Sequence, residues 1–197
     1  MKASMFKYSS MTSLSRFENG SYHVNTVDSK IVHQPRGRLP LWVLLDGIQD
    51  PRNMGSIIRS AFFFGADAVM IPSRLSCKPT PAVSRTSSGA MECLPIYRAT
   101  RVDRVLKEAK ASGWAVISTA TVGGLASKPV APSDIPCLTK PTVLVIGSEE
   151  KGVSEKVAPL SDINVHIPAH AELPGHLDSL NAGVAAGIIL SNLKVHA

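Results

Sequence analysis

From residue 41 onward, short apolar runs alternate with longer amphipathic segments. The apolar runs are rich in β-branched and aliphatic residues, and each has the length of a strand. Strands and helices in turn are typical of an α/β domain with a largely parallel sheet and helices on both faces. The predicted strands are Leu41–Leu45, Ala68–Ile71, Ala115–Thr119, Thr142–Ile146 and Asn164–Ile167.

Three helices are predicted between and after these strands. Met54–Phe64 begins just after Pro51, and Arg101–Ser112 is amphipathic and ends at Gly113, which are ordinary start and stop signals. The third, Leu180–Leu193, consists mostly of Ala, Val, Ile and Leu. We therefore expect this last helix to be buried or to form an interface.

The first forty residues lack this periodicity and end in a stretch rich in Pro, Gly and basic residues. We predict a flexible basic tail over 1–40 and one folded domain over 41–197. The tail holds six Lys/Arg against two Asp/Glu, whereas the domain holds fifteen against thirteen. If RNA binds, the domain must therefore use local patches. The Ser-rich, basic start is compatible with an organellar transit segment and equally with a disordered linker.

Cysteine spacing and hydropathy exclude several classes of protein. Cys77, Cys93 and Cys137 form no Cys-x-x-Cys pair and no Cys/His spacing suited to zinc, so we expect no metal and a reducing compartment. No apolar run approaches the length of a membrane-spanning helix, and the N-terminus has no signal-peptide core. We therefore expect no membrane association.

The first motif runs from the end of a strand into a helix and reads DGIQDPRNMGSIIR over residues 46–59. Gly55 in this motif is expected to let the backbone approach a ligand closely. Loops after parallel strands are where α/β sheets place ligands. Arg59 lies four residues after Gly55, so both share one helical face, and a guanidinium there could clamp a phosphate. The structural alternative is that Asn53 caps the helix and Arg59 forms a surface ion pair.

The second motif is a buried strand that opens into a loop with glycine at both ends, VLVIGSEEKGV over residues 143–153. It lacks the Gly-Lys-Ser/Thr ending of a phosphate loop, and no predicted strand is followed by G-x-G-x-x-G. An enzyme that binds a metabolite through nucleotide phosphates is therefore poorly supported. The loop presents Glu149; taken alone, it is also explained as a plain strand and turn.

The third motif is IP at residues 167–168, followed after a loop by LDSLNAGVAAG at residues 177–187. Ser179 and Asn181 stand at the mouth of the last helix. The small residues that follow allow a ligand, a backbone or a second subunit to approach closely. The structural alternative is that Ser179 is the helix N-cap and the small residues serve packing.

In this order and spacing, the three motifs resemble the SpoU-type branch of the SPOUT superfamily, the TrmH-like RNA 2′-O-methyltransferases. The resemblance covers Leu41 to about Lys194 and depends on N-x-G-x-x-x-R, I-G-S-E-x-x-G, I-P and S-L-N. The stretch SSGA at residues 87–90 also looks like a family element. LPG at 173–175 and LDSLN at 177–181 look closest to mitochondrial methyltransferases that act on a guanosine of large-subunit ribosomal RNA.

The resemblance implies a SPOUT methyltransferase fold with a deep C-terminal trefoil knot. Sequence physics alone would not predict this, because knots are nearly absent among folds. The resemblance also implies a homodimer through the knot region, in agreement with the apolar last helix. Many relatives carry a separate RNA-recognition domain at the amino-terminal side. Here that position holds only the basic stretch 1–40. Three explanations stay open: the stretch is an arm that binds RNA through its charge, the protein is a truncated version of its relatives, or it depends on a partner.

The implied activity is methylation of a ribose 2′-hydroxyl of RNA by S-adenosylmethionine. The resemblance assigns catalytic roles to Arg59, Asn53, Glu149, Ser179 and Asn181, and backbone contacts with the cofactor near Thr119, Gly147, Ile167 and Leu180. Arg59 is the residue that the resemblance puts at the reacting hydroxyl. Because the pKa of arginine normally exceeds about 12, it is a poor base. We predict that Arg59 orients the hydroxyl and stabilises the developing oxyanion, helped by Glu149 or a substrate phosphate, while Asn53, Ser179 and Asn181 hold the ribose and the loops.

Two further interpretations stay open. One is a transfer RNA methyltransferase with the same chemistry, since local shape and single-stranded loops decide which RNA is recognised. The other is a non-catalytic knotted factor in RNA binding or ribosome assembly. The resemblance predicts a mitochondrial location, with the cytoplasm as the alternative.

Overall fold

The computed structural model describes residues 8–16, 22–26, 30–33, 37–119, 129–169 and 179–193. Within these ranges the strands are β1 (Tyr8–Arg16), β2 (Tyr22–Thr26), β3 (Lys30–His33), β4 (Leu41–Asp46), β5 (Ala68–Pro72), β6 (Ile96–Ala99), β7 (Ala115–Thr119), β8 (Thr142–Gly147) and β9 (Ile163–Val165). The α-helices are α1 (Pro51–Phe63), α2 (Pro81–Ser87), α3 (Ala90–Cys93), α4 (Val102–Ala111) and α5 (Ala182–Asn192).

The described strands form one sheet in the order β3-β2-β1-β6-β5-β4-β8-β7-β9. The six strands from β4 to β9 are parallel to their neighbours, and β1 joins β6 in parallel. Only β2 and β3 are added in the antiparallel direction, at one edge. The α/β class and the largely parallel sheet are thus confirmed.

The two faces of the sheet carry separate apolar cores, because successive side chains of a strand point to opposite sides. On β4, Leu41, Val43 and Leu45 pack into the core that α1, α2, α3 and α5 cover. Trp42 and Leu44 point the other way, into the core that α4 covers. Helices therefore lie on both faces, as predicted. Because both faces of β4 are buried, all six of its residues are buried.

The capping residues explain where the predicted helix starts differ from the observed ones. Helix α1 begins at Pro51 because the Asp50 side chain caps it, accepting the backbone N–H of Arg52 at 2.8 Å. Asn181 caps α5 in the same way. The alternatives in which Asn53 and Ser179 serve as caps are therefore wrong.

Three of the observed elements in the later part of the chain were not expected. Strand β6 and helices α2 and α3 are four, seven and four residues long, too short to show a clear period. For α2 a local signal exists, because Thr80 is its N-cap and Pro81 its first residue, a common helix start.

The sequence also predicts no strand before Leu41, and the structure corrects this. Strand β1 pairs with β6 from Tyr8 opposite Ile96 to Met11 opposite Ala99, and Met11 is fully buried. Its Ser-rich sequence carries a weak strand pattern, so the partner strand decides the conformation. The domain boundary at residue 40 stays a prediction.

Two stretches that bear on the predicted knot lie outside the described residues, namely 120–128 and 170–178. The LPG stretch and the first two residues of LDSLN fall in the second of these. The C-terminal knot therefore stays a prediction.

Candidate functional site

The three sequence motifs converge at the edge of the sheet where the parallel strands end. Strands β4 and β8 are neighbours, with Asp46 opposite Gly147, so the loops that follow them start side by side. The first motif continues from β4 into α1, and the second forms the loop after β8. Helix α5, which follows the third motif, packs against α1. Such an edge is where open α/β sheets bind ligands.

One side chain from each motif takes part in a single hydrogen-bonded group, which we call the motif junction: Asn53, Glu149 and Asn181. The Asn53 Nδ2 donates to Glu149 Oε1 at 3.1 Å. The Asn181 Nδ2 donates to the same oxygen at 2.9 Å and to Asn53 Oδ1 at 2.7 Å. The backbone N–H of Ala182 also donates to Glu149 Oε1, at 2.7 Å.

The motif junction leaves half of the Glu149 carboxylate unused. Its Oε1 atom accepts three hydrogen bonds, and among the described residues no donor contacts Oε2. The carboxylate also lies at the N-terminus of α5, where the helix dipole stabilises a negative charge. Glu149 therefore has one oxygen fixed by the protein and one oxygen that accepts no hydrogen bond from the described residues.

Two glycines allow the helices around the junction to pack closely. A Cβ atom on Gly183 of α5 would collide with Ser56 Oγ of α1. A Cβ atom on Gly55 of α1 would collide with Thr86 Oγ1 of α2. The expectation that Gly55 admits a ligand is therefore corrected, since this position admits a neighbouring helix.

A main cleft opens on one side of the motif junction, at the ends of β7, β8 and β9. It is lined by Thr119, Ile146, Gly147, Ser148, Glu149, Gly152, Val165, His166, Ile167, Ser179, Leu180, Ala182, Ala185 and Ile189. All four residues expected near a cofactor are in this set: Thr119, Gly147, Ile167 and Leu180. The Thr119 hydroxyl accepts the Gly147 N–H at 2.9 Å, which holds β7 and β8 together at the floor.

A second space, which we call the side cavity for its position beyond the junction, is the larger of the two, at about 330 Å³ against about 90 Å³ for the main cleft. The sequence did not predict it. Its lining is Asp46, Gly47, Ile48, Gln49, Asp50, Asn53, Leu75, Ser148, Glu149, Glu150, Lys151, Gly152, Ser154 and Ala182. Four of these residues, including Glu149, also line the main cleft. Asp50, at the rim of the side cavity, accepts hydrogen bonds from Arg52, and these bonds lower the pKa of the Asp50 carboxyl. The two spaces therefore share a wall that contains Glu149.

Arg59 stands apart from this group. It is exposed and lines neither space. Its Nη1 donates to the Ser88 hydroxyl at 3.0 Å, so its side chain extends toward α2 and not toward Glu149. Ser88 belongs to the SSGA stretch and has a left-handed backbone with φ of 52°. The structure thus brings Asn53, Glu149 and Asn181 together, places Ser179 in the main cleft, and holds Arg59 elsewhere on α1.

Comparison with known proteins decides the family. A model described as the SpoU rRNA Methylase family matches residues 40–191. The chain belongs to this family. The resemblance inferred from the three motifs is therefore confirmed, and the match covers both the main cleft and the side cavity.

Relatives in this SpoU family include proteins from humans and bacteria. Human "rRNA methyltransferase 1, mitochondrial" is 39% identical over 160 residues, covering 78% of this chain and 45% of the human protein. An "uncharacterized tRNA/rRNA methyltransferase" of Mycolicibacterium gilvum is 42% identical over 153 residues, covering 78% and 46%. The chain thus spans about half the length of the curated relatives that it matches.

Solved structures of SpoU-type proteins have the same fold. The AdoMet-bound ribosomal RNA methyltransferase of Sinorhizobium meliloti is 30% identical with a TM-score of 0.66, over 78% of this chain and 55% of that one. The SpoU methyltransferase AviRb of Streptomyces viridochromogenes, in complex with AdoMet, is 28% identical with a TM-score of 0.65, over 83% and 66%.

Two kinds of feature are absent from the described residues. No group of three or more His, Cys, Asp or Glu residues in the described ranges is arranged to hold a metal ion. Within the same ranges, no helix has both the length and the apolar character needed to cross a bilayer.

Proposed function

We propose that this chain transfers a methyl group from S-adenosylmethionine to a ribose 2′-hydroxyl of RNA. The observation that carries the proposal is the motif junction, where residues 96 and 32 positions apart in sequence meet on Glu149. This junction forms part of the wall of a cleft lined by all four residues expected near the cofactor. Membership in the SpoU family and the AdoMet-bound neighbours support the same reaction.

The main cleft fits S-adenosylmethionine in its chemistry. Its interior is apolar at Ile146, Val165 and Ile189, and exposed Leu180 adds an apolar side chain at the mouth. Such surfaces suit a purine ring, while the polar groups of the β8 loop suit an amino-acid end. When bound, the cofactor supplies an already activated methyl group. The chain's own task is then to align the ribose and to assist loss of its hydroxyl proton.

Glu149 is the residue we assign to the hydroxyl proton. Its Oε1 is occupied by three donors, so its orientation is fixed before substrate binds. The remaining oxygen is an acceptor beside the cleft. Asn53 and Asn181 act as positioning residues that hold this carboxylate. The exposed Ser179 hydroxyl in the cleft is left to hold the ribose.

Arg59 keeps the orienting role rather than that of a base, because a guanidinium loses its proton only above about pH 12. Among the described residues, its one side-chain hydrogen bond is to a neutral hydroxyl on the surface. A phosphate or a developing oxyanion would form stronger, charge-assisted bonds with the same group. We therefore propose that RNA binding draws Arg59 away from Ser88 and toward the reacting ribose.

The substrate we propose is a guanosine of mitochondrial large-subunit ribosomal RNA, with the protein located in mitochondria. The motifs LPG and LDSLN and the name of the human relative support this choice. The second candidate is a transfer RNA, because the bacterial relative's name includes both RNA classes. The basic segment 1–40 would add affinity for either RNA through its positive charge.

We also propose a homodimer built on α5, together with the C-terminal knot. Helix α5 is apolar, yet Val184 is 52% exposed. A second copy that covers this residue would remove apolar surface from water. Sedimentation of the purified chain tests the dimer, and a Val184→Asp variant that stays dimeric would contradict this placement.

The experiment that tests the proposed function uses methyl-labelled S-adenosylmethionine. The purified chain is incubated with mitochondrial large-subunit ribosomal RNA or transfer RNA, and the label is mapped by mass spectrometry. We expect a ribose methyl on one guanosine of the ribosomal RNA. Label on transfer RNA ribose would favour the second candidate, and label on bases alone would contradict the proposal. Failure to bind S-adenosylmethionine would favour the non-catalytic RNA-binding factor.

A further inference from the structure

The side cavity has no part in holding the cofactor that we propose for the main cleft. It nevertheless lies directly beside the proposed reaction centre, because Glu149 lines both spaces and Asn53 lines the side cavity. In a nucleotide, the ribose and the base are covalently joined. If the 2′-hydroxyl lies at Glu149 and the cofactor fills the main cleft, the side cavity is the neighbouring space left for the base.

The cavity offers groups that are free to recognise a ligand. Among the described residues, the side chains of Gln49, Glu150 and Lys151 are exposed and have no hydrogen-bond or ion-pair partner. Leu75 is 77% exposed at the same cavity, so it presents an apolar surface with nothing packed over it. An apolar surface next to unpaired polar groups suits a flat, polar-edged ring.

We propose that the side cavity binds the base of the target nucleotide, with Leu75 packing against the ring and Glu150 selecting guanine. This inference rests on the proposed function and goes beyond it, because it names the residues that choose the base. Recognition of this kind requires the base to be unstacked from its neighbours, which is how proteins usually recognise single-stranded RNA.

The charges around the cavity favour a base over a phosphate. Its lining contains four carboxylates but only one cationic side chain, that of Lys151, and a phosphate would be repelled by this excess of negative charge. A base is neutral, so its binding depends on how the hydrogen-bond donors and acceptors along its edge match the groups of the cavity. The cavity therefore selects through hydrogen bonds.

Guanine is the base whose edge matches a free carboxylate. Its N1–H and N2–H groups lie side by side and can both donate to the two oxygens of Glu150. Adenine and cytosine place an acceptor beside their donor, and uracil has one N–H between two carbonyl oxygens. On the other edge of guanine, O6 and N7 are acceptors that suit a lysine such as Lys151.

The test measures nucleotide binding to the isotope-labelled full chain saturated with S-adenosylhomocysteine. The probes are guanosine, inosine and cytidine 5′-monophosphates, and the readout is the shift of the amide signals of Gly47, Gln49 and Leu75 in NMR spectra. Inosine lacks only the 2-amino group. We expect guanosine monophosphate to bind about tenfold more tightly than inosine monophosphate, the loss expected for one hydrogen bond to a charged group.

Variants separate selection from simple packing. In Glu150→Gln the preference for guanosine over inosine monophosphate should disappear. In Leu75→Ala the binding of both nucleotides should weaken by a similar factor of about five, as expected for lost apolar contact. Glu155→Gln is the matched control, since Glu155 is an exposed carboxylate of the same loop region outside the cavity lining. Circular dichroism melting of each variant confirms that it is folded.

The outcomes distinguish this inference from the proposed function. Binding of S-adenosylhomocysteine is measured first, and its absence would overturn both. If it binds and none of the nucleotides shifts the cavity amides, or if guanosine and inosine monophosphates bind equally, only the inference is overturned. Unchanged preference in Glu150→Gln would remove Glu150 as the selecting residue and overturn it as well.

Discussion

Helix α1 contributes one residue to the motif junction, Asn53, and one to the Arg59–Ser88 contact, but the two are built in different ways. In the junction, Asn53 is bonded to Glu149 and Asn181, which come from two distant parts of the chain. Within the described part of the chain, the Arg59 side chain has one hydrogen bond, to Ser88, and it is exposed. The family resemblance assigns both to one active centre, whereas the structure assembles only the first.

In the proposed mechanism, this difference distinguishes a preorganised region from one that RNA would complete. The Glu149 carboxylate is held by three donors, so little rotamer freedom is left to lose when a ligand binds. Arg59 gives up one exposed hydrogen bond to a neutral group, which contributes only about 1 kcal/mol. The junction should therefore act in every step that uses the cleft, and Arg59 only in the step that involves RNA.

The largest effect is expected from Arg59→Ala. If Arg59 stabilises the developing oxyanion, its removal should lower methyl transfer by about 1000-fold. The dissociation constant of S-adenosylmethionine should stay unchanged, because Arg59 lines neither cleft nor cavity. Single-turnover methylation and calorimetry measure the two quantities.

Arg74→Ala is the matched control for this prediction, because Arg74 is another exposed arginine outside both spaces. Full activity in Arg59→Ala would remove it from the mechanism. A large loss of cofactor affinity would show that the two regions are not separate.

The next effect is expected from Glu149→Gln, which keeps the size of the side chain and removes its charge. Loss of the proton acceptor should lower methyl transfer by about 100-fold. Unlike Arg59→Ala, this change should also weaken cofactor binding, because Glu149 forms part of the main cleft. Comparing the pH–rate profiles of the two variants tests the assignment. A profile in Glu149→Gln identical to that of the unchanged protein would argue against Glu149 as acceptor.

A smaller effect, on stability, is expected from Gly183→Ala. The added Cβ would meet Ser56 Oγ, and overpacking of this kind costs about 1–3 kcal/mol in the free energy of unfolding. Because it pushes α5 from α1, it should loosen the junction and leave the Arg59–Ser88 contact intact. Urea denaturation measures the loss.

Ser56→Ala in the Gly183→Ala background removes the colliding oxygen and should restore part of this stability. Additive losses in the double variant would contradict the packing explanation. The matched control is Gly187→Ala, where the nearest atom to an added Cβ is Ser60 Oγ at 3.7 Å, an ordinary contact.

The central strands of the sheet could be predicted because their apolar runs can be recognised in the sequence without knowledge of the tertiary structure. All five predicted strands exist, and β4, β5, β7 and β8 start where predicted. Strand β1 was not predicted, since its Ser-rich sequence carries a weak strand pattern and its conformation depends on pairing with β2 and, far along the chain, with β6. Long-range pairing of this kind leaves no local pattern in the sequence.

The sequence motifs indicated three residues that the structure joins, but not the geometry of the candidate site. Motif order pointed to Asn53, Glu149 and Asn181 together, and the structure joins them. The separation of Arg59 depends on where α2 places Ser88, and α2 was not predicted. The side cavity depends on Leu75, an exposed residue in a loop with φ of 67°, which no motif or period marks in the sequence.

The smallest effect is expected from Ser88→Ala, and its direction distinguishes two roles of the Arg59 contact. If Ser88 only holds Arg59 until RNA arrives, removing it should leave the maximal rate unchanged or slightly higher. If Ser88 orients Arg59 during the reaction, the rate should fall by about fivefold, as for one hydrogen bond. If the junction is preorganised and Arg59 takes its working position only when RNA binds, the maximal rate in Ser88→Ala should be unchanged or slightly higher. A fall in single-turnover rate, with RNA affinity unchanged, would mean that the Arg59 region is preorganised as well.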